Sequence, residues 1–213
     1  MSYLYLRFKI LEKLGKYVDI LSGFPFKSEL FLDDATQTPL IKGENLQPSF
    51  IDWEKSKYWN SEEYEELSKF HLIENDIVLA MDRPYVPAGL KWAYIKKSDP
   101  KSLLVQRVAR LRTKDPEILD QVFLRYIISS QLFGRYLDLI VTGVNVPHIS
   151  GKQIADFKVT LPKIDTQRKI AGILSAYDEL IENNKKRIAL LETMAEELYK
   201  EWLSTRQKNE KVC

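Results

Sequence analysis

The most regular hydrophobic pattern in the chain runs from Ile170 to Trp202, where apolar positions recur at alternating steps of four and three. This heptad pattern is typical of a helix that packs lengthwise against another helix. A helix over residues 165–203, N-capped by Asp165, would be about 55 Å long at 1.5 Å per residue. A single helix cannot bury its own stripe, so the pattern predicts a partner helix. The seam positions are Ile170, Leu174, Tyr177, Ile181, Asn184, Ile188, Leu191, Ala195, Leu198 and Trp202.

The residues before this helix show shorter patterns of mixed type. Apolar runs flanked by Gly, Pro, Asn or Asp predict strands, and a longer stripe over residues 115–139 predicts a helix that breaks near Ser129 or Gly134. Ser150 is placed to cap a short helix. We therefore predict an α+β fold: a compact mixed domain over residues 1–164, one long coiled-coil α-helix over residues 165–203, and a frayed tail over residues 204–213. The predicted strands are Val18–Ser22, Leu40–Lys42, Ile77–Met81, Trp92–Ile95, Leu103–Leu111 and Lys158–Leu161.

Charge is unevenly distributed, although the formal net charge is only +2. Residues 44–76 contain nine acidic and three basic side chains, whereas residues 82–114 contain nine basic and two acidic ones. Such a separation favours a positive surface on one side of the domain. Solvated strand and loop faces are the alternative interpretation.

Several kinds of chemistry have no signal in the sequence. The single cysteine, Cys213, permits no internal disulfide and fits a reducing cytoplasm. No nucleotide-binding glycine loop or metal-ligand spacing is present, and no apolar stretch is long enough to span a membrane. Asp76 and Asp82 bracket a predicted strand, and we expect a structural or solvating role for them. We therefore expect no cofactor, no metal site and no catalytic residue.

The order of the segments resembles one family, the specificity (S) subunits of type I restriction–modification enzymes. The resemblance runs through most of the 213 residues, and its strength lies in the shared order rather than in any one motif. Asn75 stands where the family usually has glycine. The segments that carry the resemblance are residues 13–28 (KLGKYVDILSGFPFKS), 39–46 (PLIKGENL), 74–82 (ENDIVLAMD), 104–111 (LVQRVARL), 146–150 (VPHIS), 182–185 (ENNK) and 197–202 (ELYKEW).

The resemblance implies a function and partners. Residues 1–164 would be a target recognition domain for double-stranded DNA, and the long helix would be a spacer that holds methyltransferase (modification) subunits. The usual chain has two such domains and two helices, so this chain resembles a half-subunit that would form a homodimer through its helix. The methyltransferase subunits would bring S-adenosylmethionine and a restriction (motor) subunit would use ATP, and neither ligand would bind this non-catalytic, cytoplasmic chain.

The resemblance also directs attention to polar residues in the basic region and near the exit of the domain. Arg83 and Tyr85 lie in a Pro-bounded loop and are candidates for base reading, with pairing of Arg83 to a carboxylate such as Asp82 as the alternative. Loop residues that carry hydrogen-bond donors, or whose backbone a phosphate can approach closely, are candidates for phosphate contacts. The full candidate set for DNA binding is Lys27, Ser28, Arg83, Tyr85, Lys91, Arg110, Thr142, Gly143, Asn145, His148 and Lys152.

Residue alternation in the predicted strand Leu103–Leu111 separates its arginines. Arg107 shares the apolar face, where an internal ion pair is expected and base reading is the alternative. Arg110 and Arg112 share the other face with Gln106, where exposure is possible. In the long helix, Asn184 is expected to specify register, with a place in a splayed or solvated stretch of the helix pair as the alternative. Trp202 and Tyr199 are expected to anchor either a partner protein or the chain's own domain.

Two other functions remain open from sequence. The chain could be the recognition region of a fused restriction–methylation enzyme, which the initiating Met1 and the missing catalytic motifs argue against. It could also be a coiled-coil interaction protein that has lost DNA binding, which a salt-dependent DNA-binding assay would distinguish. The DNA sequence that the chain recognises is not legible from the residues.

Overall fold

The computed structural model describes residues 11–141 and 148–210. These residues form thirteen strands and four α-helices, which confirms the α+β class. The strands are β1 (Glu12–Lys13), β2 (Val18–Ser22), β3 (Thr38–Ile41), β4 (Leu46–Gln47), β5 (Phe50–Ile51), β6 (Tyr58–Trp59), β7 (Ile77–Ala80), β8 (Tyr85–Val86), β9 (Gly89–Leu90), β10 (Trp92–Tyr94), β11 (Leu103–Leu104), β12 (Val108–Thr113) and β13 (Lys158–Val159). The α-helices are α1 (Gln121–Ile128), α2 (Gln131–Val141), α3 (Gly151–Asp156) and α4 (Ile164–Glu210).

A four-stranded antiparallel sheet in the order β10-β7-β12-β2 forms the centre of the domain. Strand β7 is fully buried because side chains cover both of its faces. One face packs against the α1–α2 region through residues such as Leu124, Phe133 and Leu137. The other face packs against the β3–β5 region, including Ile41 and Leu46. The strand predicted at Val18–Ser22 is confirmed with both ends as expected.

Local capping explains where the helices begin. Asp120 caps α1 by accepting a hydrogen bond from the Phe123 amide at 2.8 Å, and the chain breaks at Ser129 and Ser130 before α2. The predicted break near Ser129 is therefore confirmed, although the helix begins later than residue 115. Ser150 caps α3 in a capping box with Gln153, as its position in the sequence predicted.

Two turns contain a residue with a left-handed backbone, and one of them divides a predicted strand. Asn75 has a φ of 68°, a left-handed conformation that glycine adopts most easily and that asparagine tolerates better than most residues. Arg107 also has a φ of 68°, and a turn at Gln106–Arg107 divides the predicted strand Leu103–Leu111 into β11 and β12. β11 pairs in parallel with β3, whereas β12 belongs to the central sheet.

The chain divides into two compact units between Arg168 and Lys169. The first unit includes the start of α4, where the buried Gln167 side chain donates to the carbonyls of Ile118 and Pro162, at 2.9 Å each, and accepts from the Asp120 amide at 3.0 Å. Helix α4 is 47 residues long, about 70 Å at 1.5 Å per residue. It begins one residue before the predicted N-cap Asp165 and ends at Glu210.

Candidate nucleic-acid interface

One end of the central sheet collects exposed polar side chains. Strands β2 and β7 end there and β12 begins there, because each is antiparallel to its neighbour. We call this end of the sheet the polar end and define it by four residues at or just beyond the ends of these strands: Ser22, Asp82, Arg107 and His148. The chain returns to it after α2, where His148 forms an isolated antiparallel bridge with Asp82.

Asp82 organises the polar end. One carboxylate oxygen lies 2.9 Å from the Arg107 guanidinium, and the other accepts a hydrogen bond from the His148 ring nitrogen Nδ1. The Arg107 side chain is 70% exposed and that of His148 is 52% exposed, so both face solvent. The alternative in which Asp82 pairs with Arg83 is not what the structure shows. Among the described residues, the Arg83 side chain is exposed and has no ion-pair partner.

Four of the candidate DNA-binding residues are exposed cations or hydroxyls on segments next to the polar end. Arg83 directly follows Asp82, and its φ of 45° is left-handed. Lys27 and Ser28 follow β2 through a turn in which the Phe24 carbonyl accepts from the Gln106 amide at 2.8 Å. Lys152 lies on the first turn of α3, and its side chain is exposed. With His148, these are the candidates that the fold leaves available to a ligand.

Two candidates in the loop after Arg83 are engaged inside the domain. The Tyr85 hydroxyl donates to the Gly134 carbonyl at 3.0 Å, and burial together with nearby Asp138 raises the pKa of its phenol. Lys91 is buried, its amine donates to the Gly43 carbonyl, and burial lowers its pKa. The prediction that these two side chains meet DNA is therefore not supported by where they lie, because neither presents its polar group to solvent.

The facing predicted for two arginines of the segment Leu103–Leu111 was wrong. Arg110, predicted to lie on the face where exposure is possible, is buried and donates to the Asp19 carboxylate at 2.7 Å and weakly to the Lys69 carbonyl. Arg107, expected to face the apolar side, is in the turn and exposed. The turn at Gln106–Arg107 explains the exposure of Arg107, because it ends the alternation of the predicted strand there. Arg110 is buried because other residues cover both faces of β12, including the face that it shares with Val108.

Arg107 is absent from the predicted DNA-binding set, because its place on the apolar face favoured an internal ion pair over base reading. A signal was present: the polar pair Gln106–Arg107 separates the apolar runs Leu103–Val105 and Val108–Ala109, as a turn between strands would. Three other candidates, Thr142, Gly143 and Asn145, lie outside the described residues.

The other bracketing carboxylate, Asp76, has the structural role that was expected. It is buried and accepts two hydrogen bonds from Arg112. In residues 11–141 and 148–210, no cluster of three or more His, Cys, Asp and Glu side chains is arranged to hold a metal ion. Over the same residues, none of the helices combines the length and apolar character needed to cross a bilayer.

The apolar seam of α4 is exposed along its length. Tyr177, Ile181, Ile188, Leu191, Leu198 and Trp202 each present more than half of their surface to solvent. Tyr199 and Trp202 stack with ring centroids 6.2 Å apart. A second apolar row, Ile173, Leu180 and Met194, repeats at seven- and fourteen-residue steps beside the seam and is also exposed. The helix therefore presents an apolar stripe wider than a two-residue seam.

Comparison with known proteins identifies the family. Residues 26–193 match the type I restriction modification DNA specificity domain. The chain is 31% identical over 174 residues to the type I restriction enzyme MjaVIII specificity subunit of Methanocaldococcus jannaschii, covering 82% of this chain and 40% of that protein. It is 32% identical over 181 residues to the type I restriction enzyme EcoAI specificity subunit of Escherichia coli, covering 85% of this chain and 30% of that protein. The chain thus spans less than half the length of these relatives.

Solved structures share the fold. A chain from a type I R-M system superposes with a TM-score of 0.58 at 17% identity, over 89% of this chain and 43% of that one. The S subunit of a type I restriction–modification system from M. genitalium superposes with a TM-score of 0.54 at 19% identity, over 84% and 42%. The sequence match extends over most of the chain, from the turn after β2 into the long helix. This chain belongs to the family of type I restriction modification DNA specificity domains.

Proposed function

We propose that this chain is the DNA sequence-recognition part of a type I restriction–modification system and has no catalytic activity of its own. The first unit reads one half of the target, and α4 sets the distance to the second half and holds partner subunits. The observation that carries the proposal is the joint presence, in a chain of this family, of an exposed arginine at the polar end and a long helix with an uncovered seam.

The polar end supports DNA binding through its arrangement of charges. Exposed Arg107 and His148 contact the Asp82 carboxylate, exposed Arg83 directly follows Asp82 in the chain, and exposed Lys152 follows His148 on the first turn of α3. Phosphate contacts position a protein on DNA and side chains that reach base edges select the sequence. In this assignment Arg83 reads a base, and Lys152, Lys27 and Ser28 contact phosphates.

Helix α4 supports assembly through its apolar stripe. A run of exposed Ile, Leu, Tyr and Trp on a monomer promotes aggregation unless a partner covers it. A second copy of this chain supplies a matching seam, and Asn184 within the seam selects register and orientation at some cost in stability. The resulting two-fold symmetry makes the recognised site palindromic.

The second apolar row on α4 provides a surface for a further partner. A pair of helices needs only the narrow seam, whereas a helix that contacts more than one neighbour carries an additional apolar row. We assign Ile173, Leu180 and Met194 to the methyltransferase subunits, which bring S-adenosylmethionine. A restriction (motor) subunit then joins the complex and uses ATP.

The test is to purify the chain together with its methyltransferase subunit and select DNA sites from a random pool. We expect one bipartite sequence to be selected and methylated. The chain alone is expected to bind DNA weakly, to show no thermal shift with S-adenosylmethionine, and neither to methylate nor to cut DNA. Methyl transfer by the rigorously purified chain, or failure of the complex to select any sequence, would contradict the proposal.

A further inference from the structure

The polar end is built as a fixed platform. The Met81 amide donates to the Arg107 carbonyl at 2.8 Å, and the Ile149 amide donates to the Met81 carbonyl at 2.7 Å. Three separate segments of the chain, before Arg83, at Arg107 and after His148, are therefore joined through their backbones. Side chains on such a platform are held in place by the sheet rather than by a loose loop.

The backbone at this platform is unusual at two arginines. Arg83 and Arg107 have φ values of 45° and 68°, a region that residues with a side chain rarely occupy. Arg83 also precedes Pro84, which ordinarily restricts the preceding residue to extended conformations. Glycine would fit either position with less strain. Backbone strain of this kind persists where the surrounding structure enforces it, and it clusters at ligand-contacting sites.

The ion pair at the platform selects the kind of contact that Arg107 can make. Arg107 and Asp82 together carry no net charge, and the carboxylate would repel a phosphate brought to the same guanidinium. A base edge is neutral, so the carboxylate does not oppose binding there. The guanidinium directs one terminal nitrogen, Nη1, toward Asp82, and the Arg107 side chain is 70% exposed, so further donors remain for a ligand.

We propose that Arg107 is a base-reading residue that contacts a guanine in the major groove, and that Asp82 is its positioning residue. Guanine presents two acceptors, N7 and O6, that match the paired donors of a guanidinium. The hydrogen bond from His148 fixes the second oxygen of Asp82, so the carboxylate cannot turn away from Arg107. This inference rests on the proposed function, since it names a determinant of the same DNA-reading surface.

Site selection with the assembled methyltransferase complex tests the role of Arg107. Arg107→Ala is expected to relax one guanine of each half-site, with a loss of discrimination of about 5- to 150-fold. Arg107→Lys keeps the charge but not the paired donors, so we expect similar relaxation with nearly unchanged affinity for nonspecific DNA. Lys114→Ala removes one positive charge at the opposite end of β12 and is expected to leave the selected sequence intact.

The role of Asp82 is tested by coupling. Asp82→Asn is expected to relax the same guanine position, and the double variant Asp82→Asn with Arg107→Ala is expected to be no more relaxed than Arg107→Ala alone. A merely structural Asp82 would instead lower thermal stability without changing the selected sequence. If the wild-type complex selects a sequence that Arg107→Ala and Arg107→Lys select equally well, Arg107 does not read a base, although the proposed function stands. If the wild-type complex selects no sequence, the proposed function itself is overturned.

Discussion

Asp76 and Arg112 form a two-point ion pair between the start of β7 and the end of β12. The Arg112 guanidinium donates to both carboxylate oxygens, at 2.7 and 2.6 Å, and Asp76 also accepts from the Ile73 amide at 2.9 Å. Asp76 is 1% exposed, whereas the Arg112 side chain is 33% exposed. Asp76 raises the pKa of Arg112, as expected for a carboxylate beside a cation.

Removal of the Asp76 carboxylate is expected to destabilise the first unit strongly. Asp76→Ala leaves a half-buried arginine and the Ile73 amide without their acceptor, and we expect a loss of about 3 kcal/mol in the free energy of unfolding. Chemical denaturation measures this loss. The control is Glu117→Ala, because Glu117 pairs with Arg168 at 2.7 Å but both side chains are exposed. We expect that change to cost less than about 1 kcal/mol, and equal losses for the two variants would contradict the argument.

The sequence predicted the elements better than the contacts of its charged residues. Val18–Ser22 was predicted with both ends correct because apolar and polar residues alternate there between clear turn residues. The heptad seam was predictable because the repeat continues without interruption from Ile170 to Trp202. The burial of Lys91 and Arg110 could not be predicted, because their hydrogen-bond acceptors are far away along the chain. The Gly43 carbonyl is 48 residues from Lys91, and Asp19 is 91 residues from Arg110. Long-range partners of this kind leave no local pattern.

Arg107 shows a second limit of sequence reasoning. The turn at Gln106–Arg107 interrupts the predicted strand and exposes Arg107, and an arginine indicates a left-handed φ less clearly than a glycine would. Asn75 is the contrasting case. The family resemblance already placed a glycine-like position there, and the structure shows the left-handed φ that explains it.

The seam of α4 leads to a prediction on self-association. Ile181→Asp together with Ile188→Asp places two charges in the middle of the seam and is expected to convert a homodimer into a monomer, since unpaired charges are costly in an apolar interface. Light scattering at tens of micromolar measures the mass, and circular dichroism confirms that the helix remains. Leu190→Asp is the control, because Leu190 is 61% exposed but lies off the seam. A wild-type chain that remains monomeric at these concentrations with α4 intact would contradict the dimer.

The loop after β7 and the start of α3 are expected to contribute differently to DNA binding. Arg83→Ala is expected to change the selected sequence, and Lys152→Ala is expected only to lower affinity and to flatten the salt dependence by about one unit. The measurement is site selection and salt titration with the assembled methyltransferase complex. If Arg83→Ala selects an unchanged sequence, the loop serves as scaffold.

Lys91 provides the matched comparison for Lys152. Both are lysines that the sequence placed among the DNA-binding candidates, but Lys91 is buried with its amine on the Gly43 carbonyl. Lys91→Met keeps the length of the side chain and removes the charge, and we expect it to leave the salt dependence of DNA binding unchanged. A flattened slope in Lys91→Met would show that this amine reaches a phosphate in the complex.

Lys13 and Asp156 join β1 to the end of α3 through an exposed ion pair at 2.5 Å. The hydrogen bond from Lys13 is the main cause that lowers the pKa of Asp156, and Lys152 adds a smaller favourable interaction. The unfolded chain has an ordinary aspartate pKa of about 3.9, so it binds more protons than the folded chain just below that pH. The stabilisation from this pair is therefore present above about pH 4 and is lost as the pH falls through the folded pKa of Asp156.

Removal of Lys13 is expected to reverse this shift. In Lys13→Met the pKa of Asp156 should return most of the way to its ordinary value, because the largest cause of the shift is gone while Lys152 remains. An NMR titration of the Asp156 carboxyl carbon measures the pKa directly. Lys16→Met is the control: Lys16 pairs with Glu12 in the neighbouring segment, and Asp156 should titrate as in the wild type. The acid-induced loss of stability below about pH 4 should be smaller in Lys13→Met than in Lys16→Met. If Asp156 has the same pKa in the two variants, Lys13 is not the cause of the lowered pKa of Asp156.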